Sequence, residues 1–429
     1  MSYAVYYGEL KSNGGSSYTW ASKTLMYSTN IEFSNDMTYA IMDPVLIREA
    51  NQAGSFECDV PYGNACYDSL RYLLGVVSVE KNGKEIWQGR ITSIDTDMDA
   101  YKHIYCEGDM SYLNDQWVKV DWESVKIASG TNYIYDPVLF FERYCGCSIT
   151  NDGKYISSSM SEGSSKLISY IMDSMYNETG DVTYMSSWDA LCNSLIGGIL
   201  NSVSDRVFVY IDRSNITENG GTRKLRMVVS KPDVSNGFLL GSLDRTNQVI
   251  EYGVNLKNIT ISADLTNLVT KATAYGYATS GWWIFKNTIP ISYTAYDNEA
   301  ISKYGIFEKI VNVDGTDCTM NMLAEVAKSA LTPINTALNI TVNAIDLSLI
   351  EDTDELDFMK ITHIKSPWHG IDDDFICTKI TEHLDDPTNS EYVFGSASSA
   401  FSKKYASGNV VTNKAYTMSK ATMGYVASS

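Results

Sequence analysis

The side chains able to do acid–base or ligand chemistry are few and scattered. There are four histidines, His103, His363, His369 and His383, and none falls in the His-Glu-x-x-His spacing that puts two imidazoles on one helix face to hold zinc. Of the eight cysteines, the one close pair, Cys145 and Cys147, is separated by a single residue, too tight for a zinc knuckle. The thiols read as buried and reduced. Cys145 with His103 would make a thiol–imidazole nucleophile, but no local sequence supports that pairing. Asp372-Asp373-Asp374, beside His369-Gly370, is the densest acidic cluster. Carboxylates suit a hard cation such as calcium, yet three consecutive acids cannot converge on one ion without a sharp loop. This segment reads as a solvated turn between two strands. Trp282-Trp283 offers a surface for stacking a sugar ring, or else a buried or interface pair. Neither a Gly-x-Ser-x-Gly elbow nor a phosphate-cradling glycine loop occurs. No catalytic residue, cofactor site or metal ligand is assigned, and the expectation is that the chain is not an enzyme.

The elements that would have to position such groups are constrained first by composition. A length of 429 residues allows two to four domains at roughly 150 residues each, and 44% hydrophobic content is ample for their cores. The net charge of −19 argues against a nucleic-acid-binding surface, because phosphate contacts need clustered Lys and Arg. The charge reads as serving solubility, or else as an acidic wall that lets DNA slide past. No apolar run approaches the roughly 18 to 20 residues of a membrane span. The start, Met1-Ser2-Tyr3-Ala4, lacks the basic and apolar regions of a signal peptide, so synthesis and assembly in a cytoplasm are expected. The thirty tyrosines fit strand propensity, and tyrosine is also favoured at interfaces.

Periodicity then divides the chain. Val77 to Glu80 and Glu85 to Asp95 alternate around Asn82-Gly83, the two positive-φ positions of a type I′ hairpin, and a third strand runs from His103 to Gly108. Tyr67 to Val79 is expected half-buried beneath the hairpin. Asp136-Pro137 predicts a helix start, a cap followed by proline at the first position. Leu167, Ile171 and Met175 mark a second helix. Ser187 is expected to cap a third, which carries Trp188, Leu191 and Leu195 and stops at Gly197-Gly198. Val207, Val209 and Ile211 alternate on one strand and Leu225, Met227 and Val229 on another, joined through Asn219-Gly220-Gly221. Leu323, Val326, Ala327, Ala330 and Leu331 share one face of an amphipathic helix. The last part repeats the first: Val342 to Leu347 alternates like Phe56 to Val60, and Phe358 to Ile364 matches Leu73 to Val79. Phe375 to Thr381 then matches Ile86 to Thr92, and Glu391 to Gly395 matches Tyr105 to Gly108.

Several segments follow one another in a specific order: Ala53-Gly54-Ser55-Phe56, Pro61-Tyr62, Lys81-Asn82-Gly83-Lys84-Glu85-Ile86-Trp87-Gln88-Gly89-Arg90, and Cys106-Glu107-Gly108-Asp109-Met110-Ser111-Tyr112-Leu113-Asn114-Asp115. Tyr252-Gly253-Val254-Asn255-Leu256, Thr270 to Gly276, and Tyr304-Gly305-Ile306-Phe307-Glu308 follow later. In this series the chain resembles the phage tail baseplate hub family, the tail-associated lysins or prophage tail endopeptidases related to the hubs of contractile tails. The resemblance covers residues 53–115 and about 245–396 well, and the middle only loosely.

The resemblance implies an α+β, mainly β fold: two similar β-barrel tube domains, an α+β domain between them, and a small insertion in the second barrel. The corresponding division is 1–115 for the first barrel, 116–240 for the α+β domain, 241–279 and 318–396 for the two parts of the second barrel, 280–317 for the insertion, and 397–429 for a basic extension. That extension holds Lys403, Lys404, Lys414 and Lys420 and no acid. Implied too is a structural hub at the tail tip of a virion, a homotrimer adapting a sixfold tail tube to a threefold tip around the DNA exit channel. Its partners would be a distal tail protein or tail tube, a tape measure protein, and tip or receptor-binding proteins, with DNA passing through unbound and no membrane span. Two alternatives stay open: a binder of host-surface carbohydrate, and a cell-wall-degrading tail-associated enzyme. For the latter, the stretch after residue 396 is expected to be too short for the hydrolase domain many relatives carry.

Overall fold

The computed structural model describes residues 2–13, 17–31, 37–129, 132–147, 156–160, 182–200, 207–229, 231–233, 237–239, 243–263, 268–280, 287–313, 318–331, 338–350 and 352–395. Strands dominate, and the class is α+β, mainly β. Seven strands open the chain: β1 (Tyr3–Ser12), β2 (Tyr18–Ser28), β3 (Met42–Glu49), β4 (Ser55–Val60), β5 (Val76–Lys81), β6 (Lys84–Thr96) and β7 (Lys102–Gly108). Their period of two is plain in β4, where Phe56, Cys58 and Val60 are buried while Ser55, Glu57 and Asp59 are half-buried. The β5–β6 hairpin turns on Asn82 and Gly83 at φ 52° and 74°, as a type I′ turn requires. Phe56, Val79, Trp87, Ile91 and Ile104 build the core beneath. The connection into β5 is less buried than expected, for Tyr72, Leu73 and Leu74 are all exposed.

The middle of the chain holds β8 (Trp117–Asp121), the hairpin β9 (Lys126–Ser129) and β10 (Asn132–Tyr135), α1 (Pro137–Tyr144), β11 (Ile156–Met160) and β12 (Val182–Ser186). It continues through β13 (Val207–Asp212), β14 (Ile216–Thr217), β15 (Gly220–Gly221) and β16 (Arg223–Val229). The Asp136 carboxylate accepts the N–H groups of Val138 and Leu139, so α1 starts where the Asp-Pro pair predicts. The next cap is one residue earlier than expected. It is the Ser186 hydroxyl that accepts from Asp189 N–H, and the turn Ser187–Asp189 runs on into a π-helix, Ala190–Ile199. The helix expected around Leu167, Ile171 and Met175 lies outside the described residues. The two strands read there are β13 and β16, which pair antiparallel, and Trp122, Phe140, Phe141 and Leu195 lie in the core of this unit. β14 and β15 form a small tongue that leaves the unit and pairs with β2 at Tyr18 and Thr19.

A short hairpin, β17 (Lys231–Asp233) and β18 (Gly237–Leu239), leads to β19 (Arg245–Glu251) and β20 (Leu256–Ala263). Then β21 (Lys271–Ser280), β22 (Asn287–Tyr296) and β23 (Glu308–Asn312) form their own three-stranded sheet, with α2 (Asn298–Tyr304) between β22 and β23 and α3 (Met320–Ser329) packed behind. β21 and α3 share a core with the strands of the segment 280–317. Small residues Ala272, Ala274 and Gly276 on one face of β21 allow this, since a Cβ on Gly276 would meet Cys318 and Leu323. Finally come β24 (Leu338–Ala344), β25 (Ile361–Ser366), β26 (Ile371–His383) and β27 (Glu391–Phe394).

The main sheet is one path, β14-β15-β2-β1-β5-β6-β7-β4-β3-β26-β27-β24-β20, with β25 and β19 joined through β26. Among the described strands neither half closes into a barrel. What recurs is neighbour order: β5-β6-β7-β4-β3 in the first half and β25-β26-β27-β24-β20 in the second, antiparallel at every step. A rare backbone feature recurs with it. Leu73 and Met359, just ahead of β5 and β25, both have positive φ, 62° and 58°, and their N–H groups bond to the carbonyls of Ile91 and Cys377. Ile91 is paired with Cys106 and Cys377 with Phe394, each immediately before a bulge. The ladders therefore match Ile91 with Cys377, not with Ile380 as sequence matching set it, because register is fixed by the strand alongside and not by composition.

Candidate interface and its charged clusters

β3 joins the two halves. Its residues Val45 to Glu49 pair antiparallel with Lys379 to His383 of β26. Arg48 sits in the inward phase of β3 with Leu46, where an apolar residue would be expected. Its Nε donates to Glu382 at 3.1 Å and its Nη1 to Asp357 at 3.0 Å, and its guanidinium lies 5.8 Å from the Phe358 ring. Lys81, at the end of β5, adds a buried cation 3.2 Å from Glu355, 3.9 Å from Glu382 and 4.0 Å from Asp346. Tyr3 donates its hydroxyl to Glu382 at 3.1 Å. Burial works against the Arg48 charge, but Glu382 and Asp357 outweigh it and hold its pKa above the ordinary arginine value. Burial would likewise lift Asp357, and Arg48, Lys81 and Lys360 instead hold it below the usual carboxylate range. Above the cluster, the Asn82 amide at the hairpin tip donates to Glu355 at 2.9 Å.

A second cluster ties the first half to the middle unit. Arg213 donates to Glu85 and to Asp109, both at 2.8 Å, and Arg223 Nε lies 3.0 Å from Asp109. Arg223 also donates to Gln88 and stacks 4.0 Å from the Tyr18 ring. Burial raises the Glu85 carboxyl despite Arg213 and Arg223. Charges buried this way fix geometry more than they add stability, since desolvation offsets the attraction while loss of one partner strands the other.

Between the two clusters lies a cavity of about 40 Å³ lined by Arg48, Trp87, Asp109, Tyr210, Arg213 and Phe358. Ligand pockets usually run to about 300–1,000 Å³, so this is a packing gap at a three-way junction rather than a substrate site.

The residues singled out from the sequence are not brought together. Cys145 is in the core of the middle unit, its thiol pushed well up by burial. His103 lies half-exposed on β7, 2.7 Å from Asp59. Asp372, Asp373 and Asp374 are strand residues of β26, not a turn. They face β25, where His363 Nδ1 is 3.0 Å from Asp374 and its Nε2 2.9 Å from Asp372, with Arg245 of β19 also on Asp374. Burial opposes ionisation of Asp374, and Arg245 and His363 outweigh it, lowering its pKa. The turn itself is Pro367–His369, closed by Gly370. There His369 Nδ1 is 2.7 Å from the hydroxyl of Ser366, which is fully buried and so locks the turn rather than acting as a nucleophile. Trp282 and Trp283 lie outside the described residues. Among the described residues no group of three or more His, Cys, Asp or Glu is placed to hold a metal ion, and no helix is long and apolar enough to cross a membrane.

The residues that matter at the junctions, Arg48, Lys81, Arg213 and Arg223, were missed. A signal existed for two of them. Arg48 and Arg223 each occupy the buried phase of an alternating strand, in step with Leu46 and with Leu225 and Met227.

Residues 244–405 match the model of the family described as prophage endopeptidase tail. No curated protein matches the chain. Among solved structures the chain is similar to prophage tail protein gp18 from Listeria monocytogenes, at 15% identity and a TM-score of 0.46, over 91% of this chain and 94% of that one. It is similar also to the prophage MuSo2 43 kDa tail protein from Shewanella oneidensis, at 10% identity and a TM-score of 0.47 over 91% and 97%. A tail protein from Neisseria meningitidis shows 13% identity and a TM-score of 0.47 over 91% and 96%. From β19 to β27, therefore, this chain is similar to the prophage endopeptidase tail family, the resemblance its own motifs carry.

Proposed function

We propose that this protein is a structural component of a phage or phage-like tail, the hub of the tail tip or baseplate, acting as a homotrimer. The observation that carries this reading is the repeated strand order of the two halves, together with the family match over the second. Three chains, each offering two similar sheet units, would supply six like surfaces to a sixfold tube and three to a tip below. On this reading residues 1–115 and the strands β19, β20 and β24 to β27 are the two tube units, the middle unit and the sheet backed by α3 are outer decorations, and the acidic surface faces the DNA path. A distal tail or tube protein, a tape measure protein and tip proteins are the partners.

Particle cryo-EM, or light scattering on tail tips, tests this: three copies are expected, and a stable dimer or tetramer in assembled particles would refute it. The family description names an endopeptidase, so the enzymatic alternative has its own test. A zymogram on cell-wall material is expected to show no clearing. Clearing that a single point substitution abolishes would replace the structural reading with a catalytic one.

A further inference from the structure

We infer that the outward face of the β21–β22–β23 sheet is a binding surface for an uncharged polysaccharide chain. This adds a binding function to the structural role proposed above and does not depend on it. The pattern of β21 decides which side chains face out. Ala272, Ala274 and Gly276 turn inward, where the two alanines share a core with Leu323 of α3 and a Cβ on Gly276 would meet that same leucine. Tyr275 and Tyr277 therefore point the other way, and they are 45% and 53% exposed. On β22, Tyr296 lies opposite Lys271, which puts it on the same face of the sheet, and it is 50% exposed.

The three rings form a row. Successive outward residues of a strand stand about 7 Å apart, so Tyr277 and Tyr275 are one step from each other. Tyr296, level with Lys271, lies two steps further along on the adjacent strand. The same rise makes the row about 20 Å long, the reach of several linked sugar rings and more than a single small molecule needs. Between Tyr275 and Tyr296 the surface is hydroxyl, for Thr273 and Thr294 meet across the strands with their oxygens 3.1 Å apart. This alternation suits a sugar. The face of an aromatic ring is negative and attracts the polarised C–H groups of a pyranose, while the phenol at its rim stays wet and can bond to hydroxyls.

Charge decides between a neutral and an ionic partner. At one end of the face Lys271 and Glu308 pair with each other at 2.9 Å, and Glu308 also accepts from Thr273. The row is thus left without net charge. Other strands of the molecule carry acids at their outward positions, as β4 does with Glu57 and Asp59 and β26 with Asp372 and Asp374. A basic partner would be drawn to those faces. A polymer bearing phosphate or carboxylate would be repelled by a chain of net charge −19. What the row matches is a partner rich in hydroxyls and free of charge, the chemistry of a neutral cell-surface glycan.

The test places the full chain on an array of bacterial surface polysaccharides, neutral ones beside phosphate-bearing ones. Binding to at least one neutral polysaccharide is expected. Tyr275→Ala combined with Tyr277→Ala should weaken it about tenfold or more through the loss of two stacking contacts. The circular dichroism spectrum should not change, since both side chains lie on the exposed face. Tyr275→Phe combined with Tyr277→Phe should keep most of the binding, because the rings survive. Strand propensity alone also favours tyrosine here, and it would leave the array blank. No binding to any neutral polysaccharide, binding confined to the phosphate-bearing ones, or binding that the alanine pair leaves within about threefold of the parent overturns the inference. So does the loss of a protein partner from tail particles carrying the alanine pair, which would make the face a protein interface instead. Each of these results leaves the trimeric hub standing, because that reading is tested by copy number in the particle.

Discussion

Arg48 is the most informative residue to remove. Its guanidinium is buried at the seam between β3 and β26 and neutralises Glu382, itself buried, and Asp357. In Arg48→Met the methionine fills much of the volume, but Glu382 is left, among the described residues, with the Tyr3 hydroxyl and Lys81 at 3.9 Å. Breaking one side of a buried pair costs about 3–5 kcal/mol. If the seam opens locally, that is about two to three and a half orders of magnitude in its opening constant. Amide hydrogen exchange followed peptide by peptide reads this directly. Protection should fall by that factor across Val45 to Glu49 and Lys379 to His383, and stay unchanged in the β21–β22–β23 sheet, which has its own core. Adding Glu382→Leu should recover part of the loss, because it removes the buried carboxylate left stranded, while the less buried Asp357 keeps Lys360 at 4.0 Å and Lys81 keeps Glu355 at 3.2 Å. Protection within about threefold of the parent in Arg48→Met, or an equal loss in the distant sheet, would refute the reasoning.

Two further outcomes follow from the same geometry. The Asp357 carboxyl is held below its ordinary 3.8, so just below that pH the unfolded chain binds a proton that the folded chain does not. Its contribution is complete above 3.8 and is lost as pH falls through the lowered folded value; urea midpoints measured between about pH 3 and 5 should show an acid limb that Asp357→Asn flattens. Trp87→Ala should cost about 3–5 kcal/mol, since the ring is almost fully buried, lies 6.1 Å from Phe56, and is packed over by Gly89 and Gly108; an unfolding midpoint equal to that of the parent would show that the first core does not depend on it.

Local signals in the sequence were reliable because local chemistry sets them. Asn82-Gly83 makes its turn through backbone freedom at two adjacent residues, and Asp136-Pro137 starts α1 through groups within one helical turn. The order of strands in the second half was legible as well, because alternation survives. What failed was anything decided by distant partners. The frame that matches Ile91 with Cys377, each directly before a bulge, is set by pairing with the neighbouring strand and cannot be read from either strand alone. Asp372 to Asp374 look like a solvated turn until Arg245 and His363 are placed opposite them. Arg213 reaches Glu85 across a sequence separation of 128, which no local pattern can report. The alanine face of β21 gains its meaning only when α3 lies on it.

The tongue of β14 and β15 has a consequence for how such molecules can be built into something larger. By pairing with Tyr18 and Thr19 it occupies the start of β2, one end of the main sheet, while the other end, β20, carries no such stopper among the described residues. The two ends are therefore chemically unlike. A further strand can therefore be added along β20 but not along the part of β2 that the tongue covers, which leaves the sheet extensible from one end alone.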